Sequence, residues 1–286
     1  MKIKVKNIEF LVNEKFNQLF WNYVSSGKWE PHTFEIIDNF VSENSSVIDI
    51  GSWIGPISLF MAGKGAQVYS VEPDPVAYQE LISNLKLNPA LDQRIQSFNF
   101  AIAPEDKEIK LYARKSHGDS SSSILNRIED TNDHIYVKGV SFSHFLKMSK
   151  LTQVDFIKMD IEGGEFEVLP AIAPMLEKLG MPTVFVSFHY SYLNEFLYKK
   201  KIRLRFLSRL LMKAEKILNY SLFKTKIAAM IKSAISFSEK YKYLYTESGE
   251  EIKSANLSPS IMVKSQINLV LSNKKWVNKN ANKELD

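Results

Sequence analysis

VIDIGSWIGPISLF, residues 47–60, is an apolar run that ends in an acid and a glycine, meets a second glycine four residues on, and resumes as an apolar run. An apolar segment this short, closed by Gly51, reads as a buried strand. Pro56 then opens a helix that Gly63 and Gly65 close. A glycine at the strand end lets the backbone turn tightly and approach a ligand with no Cβ in the way. Gly55 lets the helix begin close to the sheet. In an open parallel sheet, ligands bind beyond the carboxyl ends of the strands, where the strand order reverses.

Outward from this unit the chain alternates. QVYSVEP reads as a strand, PVAYQELISNLKLN as a helix, RIQSFNFAI as one strand and EIKLYAR as another. A polar loop, KSHGDSSSS, precedes a short helix, SFSHFLKM. VDFIKMDI is a strand, EFEVLPAIAPML a helix and PTVFVSFH a strand. Strands that are apolar almost throughout, separated by helices, predict a doubly wound, mostly parallel α/β sheet. Residues 3–12 read as a hairpin around Lys6 and Asn7, and residues 14–42 as helical. Five parts follow: an N-terminal hairpin and helical cap (1–45), a cofactor-binding core (46–190), a basic amphipathic helical insert (191–240), closing strands of the core sheet (241–276) and a polar tail (277–286).

The second strand ends at Glu72, 21 residues beyond Gly51. An acid at that distance accepts hydrogen bonds from ribose hydroxyls, so the pair points to an adenosine-bearing cofactor. Trp53, two residues after Gly51, is too bulky to lie under a pyrophosphate, and Asp49 adds negative charge nearby. Both disfavour an NAD oxidoreductase. S-adenosylmethionine has no phosphate, and its ammonium and sulfonium tolerate acids. D-x-G-x-x-x-G followed by a strand-end acid is the general signature of class I methyltransferases. Trp53 itself reads as a packing residue that roofs the pocket.

The chain of 286 residues is 45% hydrophobic and 24% charged and has no cysteine. It is long enough for one large core, and disulfides and thiolate metal sites are excluded. The opening MKIKVKNIEFLVNEKF alternates apolar and polar residues, unlike a signal peptide. A cytoplasmic location, peripheral to the membrane at most, is the expectation. The net charge of +5 is unevenly spread. Between Lys199 and Lys242 thirteen Lys and Arg side chains oppose Glu215 and Glu239, a local +11 that leaves the remainder at −6.

SSVIDIGSWIGPISLFMAGKGAQVYSVEPDPVAYQELISNLKLN, NFAIAPEDKEIKLY, SSSIL, VKGVSFSHFL and above all VDFIKMDIEGGEFEVL together resemble the FkbM family of S-adenosylmethionine-dependent methyltransferases, over roughly residues 20–190. The last block looks like the family's I-K-x-D-x-E-G-x-E hallmark. The resemblance implies a Rossmann-like, seven-stranded class I methyltransferase fold. It also implies transfer of a methyl group to a hydroxyl of a saccharide, glycan or secondary metabolite. Two features depart from the family pattern: Ser187 stands where an acid often precedes the strand-end histidine, and the basic insert has no counterpart.

For the chemistry, Asp160 and Glu162 lie two apart at the end of the fourth strand, and extended backbone would point both the same way. They could position a hydroxyl, contact the methionine ammonium or hold a divalent ion; no metal ligand set is assigned. His189, at the end of the fifth strand, is the candidate general base. Glu165 reads equally as a helix-terminus charge. The cofactor contacts expected are Asp49, Gly51, Ser52, Gly55, Glu72 and Pro73, with Asn99 and Ala101, which match the family's N-x-A, beside the adenine. Glu30 is placed near the methionine end. His117 is a lesser candidate, and His32, His134 and His144 read as structural or exposed.

The basic segment reads as two amphipathic helices, with stripes Leu204, Leu207, Leu211, Ala214, Leu218 and Ile227, Met230, Ile231, Ala234, Ile235. A solvated face is the plain reading. The alternatives are an anionic membrane surface or phosphorylated carrier, a lid over a small-molecule or glycan substrate, and a homodimer element. Nucleic acid is disfavoured because Tyr220, Phe223 and Phe237 look like apolar-face residues. The competing functions are an RNA methyltransferase that uses these helices and a catalytically inactive cofactor-fold protein that binds a membrane or partner.

Overall fold

The computed structural model describes residues 1–127, 133–202, 204–218, 223–253 and 267–277. The expected stripe residues Leu218 and Ile231, the aromatic Tyr220 and the tail from 278 onward lie outside the residues or side chains described. The chain begins with β1 (Lys2–Val5) and β2 (Ile8–Leu11), an antiparallel hairpin that turns at Lys6 with φ +53°. Then come α1 (Glu14–Ser25), α2 (Pro31–Phe40), β3 (Ser46–Ile50), α3 (Pro56–Gly63), β4 (Gln67–Val71), α4 (Pro75–Lys86), α5 (Pro89–Asp92) and β5 (Ile95–Phe98). The middle of the chain forms β6 (Ala101–Ala103), β7 (Lys107–Tyr112), β8 (His134–Ser141), α6 (Phe142–Ser149), β9 (Phe156–Met159), α7 (Glu165–Leu176) and β10 (Thr183–Phe188). It closes with α8 (Tyr190–Lys201), α9 (Arg205–Leu218), α10 (Lys224–Ala234), a 3₁₀ turn at Ser236–Lys240, β11 (Tyr243–Thr246) and β12 (Ile267–Ser272).

Seven strands form one sheet in the order β11-β12-β10-β9-β3-β4-β5. β5, β4, β3, β9 and β10 are parallel, and β12 is antiparallel to both β10 and β11. This is the doubly wound Rossmann-like sheet of class I methyltransferases. The order reverses between β3 and β9, which sets the ligand crevice at their carboxyl ends.

Alternation along each strand divides the apolar residues between two cores. Ile48, Ile50, Val71, Ile157, Val184 and Val186 join α6 and α7 on one face. Val47, Val68, Phe156 and Phe185 join the hairpin, α1, α2 and α3 on the other. The N-terminal cap therefore contributes to one of the two core clusters. Two asparagines tie it down. Asn84 donates to Ile54 O (2.9 Å) and accepts from Asn13 N–H (2.8 Å). Asn88 accepts from Leu11 N–H (2.7 Å) and donates to Leu11 O (2.7 Å). Asn88→Ala removes both partners of Leu11 at once. We expect a loss of about 2 kcal/mol and a Tm lowered by roughly 4–8 °C in a circular-dichroism melt. An unchanged Tm would show that the hairpin docks without this bridge.

Three expectations need correction. RIQSFNFAI is two strands: β5 ends at Phe98, and Ala101–Ala103 enters a second sheet, β6-β8-β7. Its middle strand β8 was not anticipated, because HIYVKGVS sits in a polar stretch. The basic segment contains three helices rather than the two expected, and it packs on the body of the protein. Ile227 and Ala234 of α10, with Leu193 and Leu197 of α8, are buried in the α7-side core. The first stripe behaves differently: Leu204 and Leu207 are exposed. Among the described residues, no helix is long and apolar enough to cross a membrane.

Candidate active site

Gly51 follows β3 with φ +84°, and the N–H groups of Gly51 and Ser52 both donate to Val71 O at the end of β4. A Cβ on Gly51 would lie 1.9 Å from the carbonyl oxygen of Asp160. The bare backbone expected for a ligand's sake is thus demanded first by the neighbouring strand end. A Cβ on Gly55 (φ +93°) would lie 2.5 Å from Leu81 Cδ1, so this glycine admits α4 rather than a ligand.

Two adjoining cavities open at these strand ends. One, of about 620 Å³, is lined by Ile50, Val71, Glu72, Pro73, Phe100, Ala101, Ile102 and Leu111. The other, of about 480 Å³, is lined by Trp29, Glu30, Ser52, Pro56, Ile57 and Lys158. Gly51, Trp53, Ser120, Asp160 and Glu162 border both.

Glu72 is 6% exposed, and its carboxylate accepts from Trp53 N–H and Asp74 N–H, both at 2.8 Å. Burial pushes its pKa up to about 8, against the pull of those two N–H groups and with some help from Asp74. The unfolded chain has the ordinary value near 4.5, so this group favours folding fully only below that pH. Its contribution is lost as pH rises toward about 8. The Tm advantage of the wild type over Glu72→Gln is expected to shrink between pH 5 and 8. An advantage that grows over that interval would reverse the sign.

Trp53 roofs the pocket as expected for its bulk. Its indole N–H donates to Gly118 O (2.9 Å) and its ring meets Phe20 edge-on at 4.5 Å. Asp74 joins this roof to α4. It caps that helix through Val76 N–H (2.9 Å) and accepts from Gly118 N–H (2.8 Å) and Ser122 Oγ (3.0 Å). The loop so held brings Asp119, Ser120 and Ser122 to the cavity wall. None of Asp74, Asp119, Ser120 and Ser122 was singled out as a site residue from sequence, although the serine run KSHGDSSSS stood out as a polar loop.

Of the expected cofactor contacts, Gly51, Ser52, Glu72, Pro73 and Ala101 line a cavity. Asp49, Gly55 and Asn99 do not. Asp49 lies on the opposite face of β3 from Ile50 and is fully buried. It accepts from Ser58 Oγ (2.6 Å) and stands 3.6 Å from Lys158 Nζ. Asn99 uses its amide to hold the carbonyls of Glu72 (2.9 Å) and Pro73 (3.2 Å). It shapes the turn that carries the acid.

Lys158 is the main residue missed. Buried in β9, it stands 3.6 Å from both Asp49 and Asp160 and donates to Gly51 O at 3.4 Å. Burial opposes its charge, but Asp160, Asp49 and Glu30 around it hold its pKa above the ordinary lysine value. A lone lysine inside the apolar run VDFIKMDI was the available signal. Glu30, in left-handed backbone at the start of α2, accepts from Thr33 Oγ1 (3.0 Å). Burial first, then Asp160, raises its pKa to about 7.

Asp160, Glu162 and His189 converge, with His189 Nε2 3.6 Å from Asp160 Oδ1 and 3.6 Å from Glu162 Oε2. His189 Nδ1 bonds Glu165 Oε1 at 2.9 Å, and Tyr192 stacks on the ring at 5.1 Å. The same Glu165 oxygen accepts from Ile161 N–H and Gly163 N–H, both at 3.1 Å. Glu165 therefore ties its own turn to the histidine as well as starting α7. Burial raises Glu162 to about 7 against the opposing charge of His189. Burial disfavours the imidazolium, but Glu165, Glu162 and Asp160 hold it, at about 10. Within this group the three carboxylates favour the protonated form of the imidazole. His117 sits under the roof, 3.5 Å from Asp74 and away from this cluster's contacts.

Residues 41–209 match the methyltransferase FkbM domain. Among curated proteins the chain is similar to a tRNA (guanine(37)-N(1))-methyltransferase of Ciona intestinalis, 36% identical over 73 residues, 26% of this chain and 15% of that protein. It is also similar to methyltransferase sdnD of Sordaria araneosa, 28% identical over 178 residues, 49% of this chain and 64% of that one. The chain spans less than two thirds of either relative's length. A solved FkbM methyltransferase from Methylobacillus flagellatus KT aligns with a TM-score of 0.44 at 16% identity, over 80% of this chain and 44% of that one.

Proposed function

Because the chain belongs to the FkbM methyltransferase domain family, we propose that it methylates a hydroxyl of a saccharide, glycan or secondary metabolite with S-adenosylmethionine. The observation that carries this reading is the placement of Glu72. It stands at a cavity wall beside the apolar slot of Phe100, Ala101 and Ile102, and that cavity runs on to Asp160 and Glu162. The slot suits an adenine ring, and the Glu72 carboxylate suits two ribose hydroxyls. Ser52 Oγ, buried without a hydrogen-bond partner, and the acids Glu30 and Asp160 line the adjoining cavity, where they suit an amino-acid ammonium.

When bound, the cofactor supplies an electrophilic methyl group on sulfur. The chain's part is to hold the acceptor oxygen about 3 Å from that carbon and in line with the C–S bond. The Asp160–Glu162 pair would take the proton that the acceptor hydroxyl gives up as it is methylated. His189, braced by Glu165, fixes those carboxylates.

The test is incubation with tritiated S-adenosylmethionine and a fractionated extract. Label is expected in base-resistant saccharide or small-metabolite products, as an ether bond requires. Label in RNA, or in no fraction, would overturn the reading.

A further inference from the structure

We infer that Asp160, Glu162 and His189 form a divalent-cation site at the acceptor end of the cavity. One donor atom from each lies within 4.8 Å of the other two. His189 is 6% exposed and aims Nε2 at both carboxylates, at 3.6 Å, beyond hydrogen-bond reach. The atoms it faces, Asp160 Oδ1 and Glu162 Oε2, are buried and have no hydrogen-bond partner. Buried carboxylate oxygens left this way are costly unless a cation completes them. Metal bonds of roughly 2.0–2.2 Å hold neighbouring donors roughly 3 Å apart. Completing the set therefore needs the two 3.6 Å histidine gaps to close by about half an ångström and the carboxylate pair, within 4.8 Å, to draw together as well.

The surroundings are those of a metal-ligating histidine. Nδ1 is engaged by the fully buried Glu165, whose oxygen is itself fixed by two backbone N–H groups. This leaves Nε2 as the coordinating atom and sets the ring plane. Glu162 holds φ +58°, a strained backbone for a residue with a Cβ, in the turn that presents its carboxylate. Two carboxylates and one imidazole suit a divalent first-row ion such as Mn²⁺. Binding displaces the Nε2 proton to solvent. Asp160 and Glu162 border the cavity, so an ion held there would be placed to bind and acidify the acceptor hydroxyl. That use rests on the methyl-transfer reading; the binding itself does not.

The experiment titrates EDTA-stripped, dialysed full-length protein with MnCl₂ and counts free Mn²⁺ by electron paramagnetic resonance. One equivalent is expected to bind in the micromolar range. Asp160→Asn and His189→Gln should each weaken it at least 30-fold, and Glu165→Gln, a positioning change, about tenfold. Near-ultraviolet circular dichroism establishes that each variant is folded. Should a variant fail to fold, the wild-type stoichiometry and ¹H relaxation of bound water decide. No saturable Mn²⁺ binding below 1 mM, or variants that bind like the wild type, would overturn the site. Stoichiometric Mn²⁺ without methyl transfer to any fraction would leave the site standing and defeat the proposed function. Methyl transfer undiminished in EDTA by a protein that binds no Mn²⁺ would do the opposite.

Discussion

Gly51→Ala is expected to destabilise the protein by roughly 3–5 kcal/mol and to abolish cofactor binding. Two effects add. Left-handed backbone, at φ +84°, costs a residue with a Cβ roughly 1–2 kcal/mol. The new methyl would also lie 1.9 Å from Asp160 O and 3.0 Å from its carbonyl carbon. That obstacle is backbone, held by the β3–β9 ladder in which Asp160 N–H donates to Ile50 O at 3.0 Å. No rotamer change relieves it; β9 must shift, at the cost typical of an overpacked core. A Tm lower by about 10 °C is expected, with no heat on titration with S-adenosylmethionine. A Tm within 2 °C of wild type, with binding retained, would show that the two strand ends are not in the contact described.

Glu162→Gln is expected to slow methyl transfer at least 100-fold while leaving cofactor affinity within about threefold. The change keeps shape and volume and removes one negative charge. Glu162 Oε2 has no hydrogen-bond partner in the protein, and its φ of +58° belongs to the turn. The fold should therefore tolerate an amide, and its Tm should not fall. A carboxylate that takes or directs the acceptor's proton contributes 10²–10⁴-fold. Single-turnover transfer of tritiated methyl to the labelled fraction measures the rate, and calorimetry measures the affinity. A rate loss matched by an equal loss of affinity would make Glu162 a binding residue. An unchanged rate would remove it from the chemistry.

What the sequence revealed and what it hid divide along physical lines. β3, β4, β9 and β10 were legible because strands buried on both faces are apolar almost throughout and end in Gly51, Glu72, Asp160 and His189. The break after Phe98 was not legible. It depends on the Asn99 amide gripping Glu72 O and Pro73 O across 26–27 residues, which turns the chain out of the main sheet. Asp49 looked like a cavity residue because it adjoins Gly51. Strand alternation gives that face to Ile50 and sends Asp49 to Ser58 and Lys158 instead. Asp160 and Glu162 were singled out by the block they share; the extended backbone expected to align them is instead a turn, with Glu162 at φ +58°. The Glu165–His189 bond, 24 residues long in sequence, exists only because β9 and β10 are neighbours. The stripe at α9 leaves Leu204 and Leu207 exposed, whereas that of α10 buries Ile227 and Ala234. Periodicity alone does not separate those two outcomes.

The central claim is that Glu72 grips the ribose of S-adenosylmethionine in the cavity beyond β3 and β4. Isothermal titration of the wild type and Glu72→Gln with S-adenosylmethionine tests it, run at pH 7 and pH 9 in two buffers of different ionisation enthalpy. The account predicts one bound equivalent, tighter at pH 9 than at pH 7, because the ribose hydroxyls select the ionised form of a carboxyl whose pKa is about 8. A proton is released on binding at pH 7. Affinity in the variant falls at least tenfold, with no pH dependence from this position. No binding by the wild type, or equal affinity and equal proton release in both proteins, would contradict it.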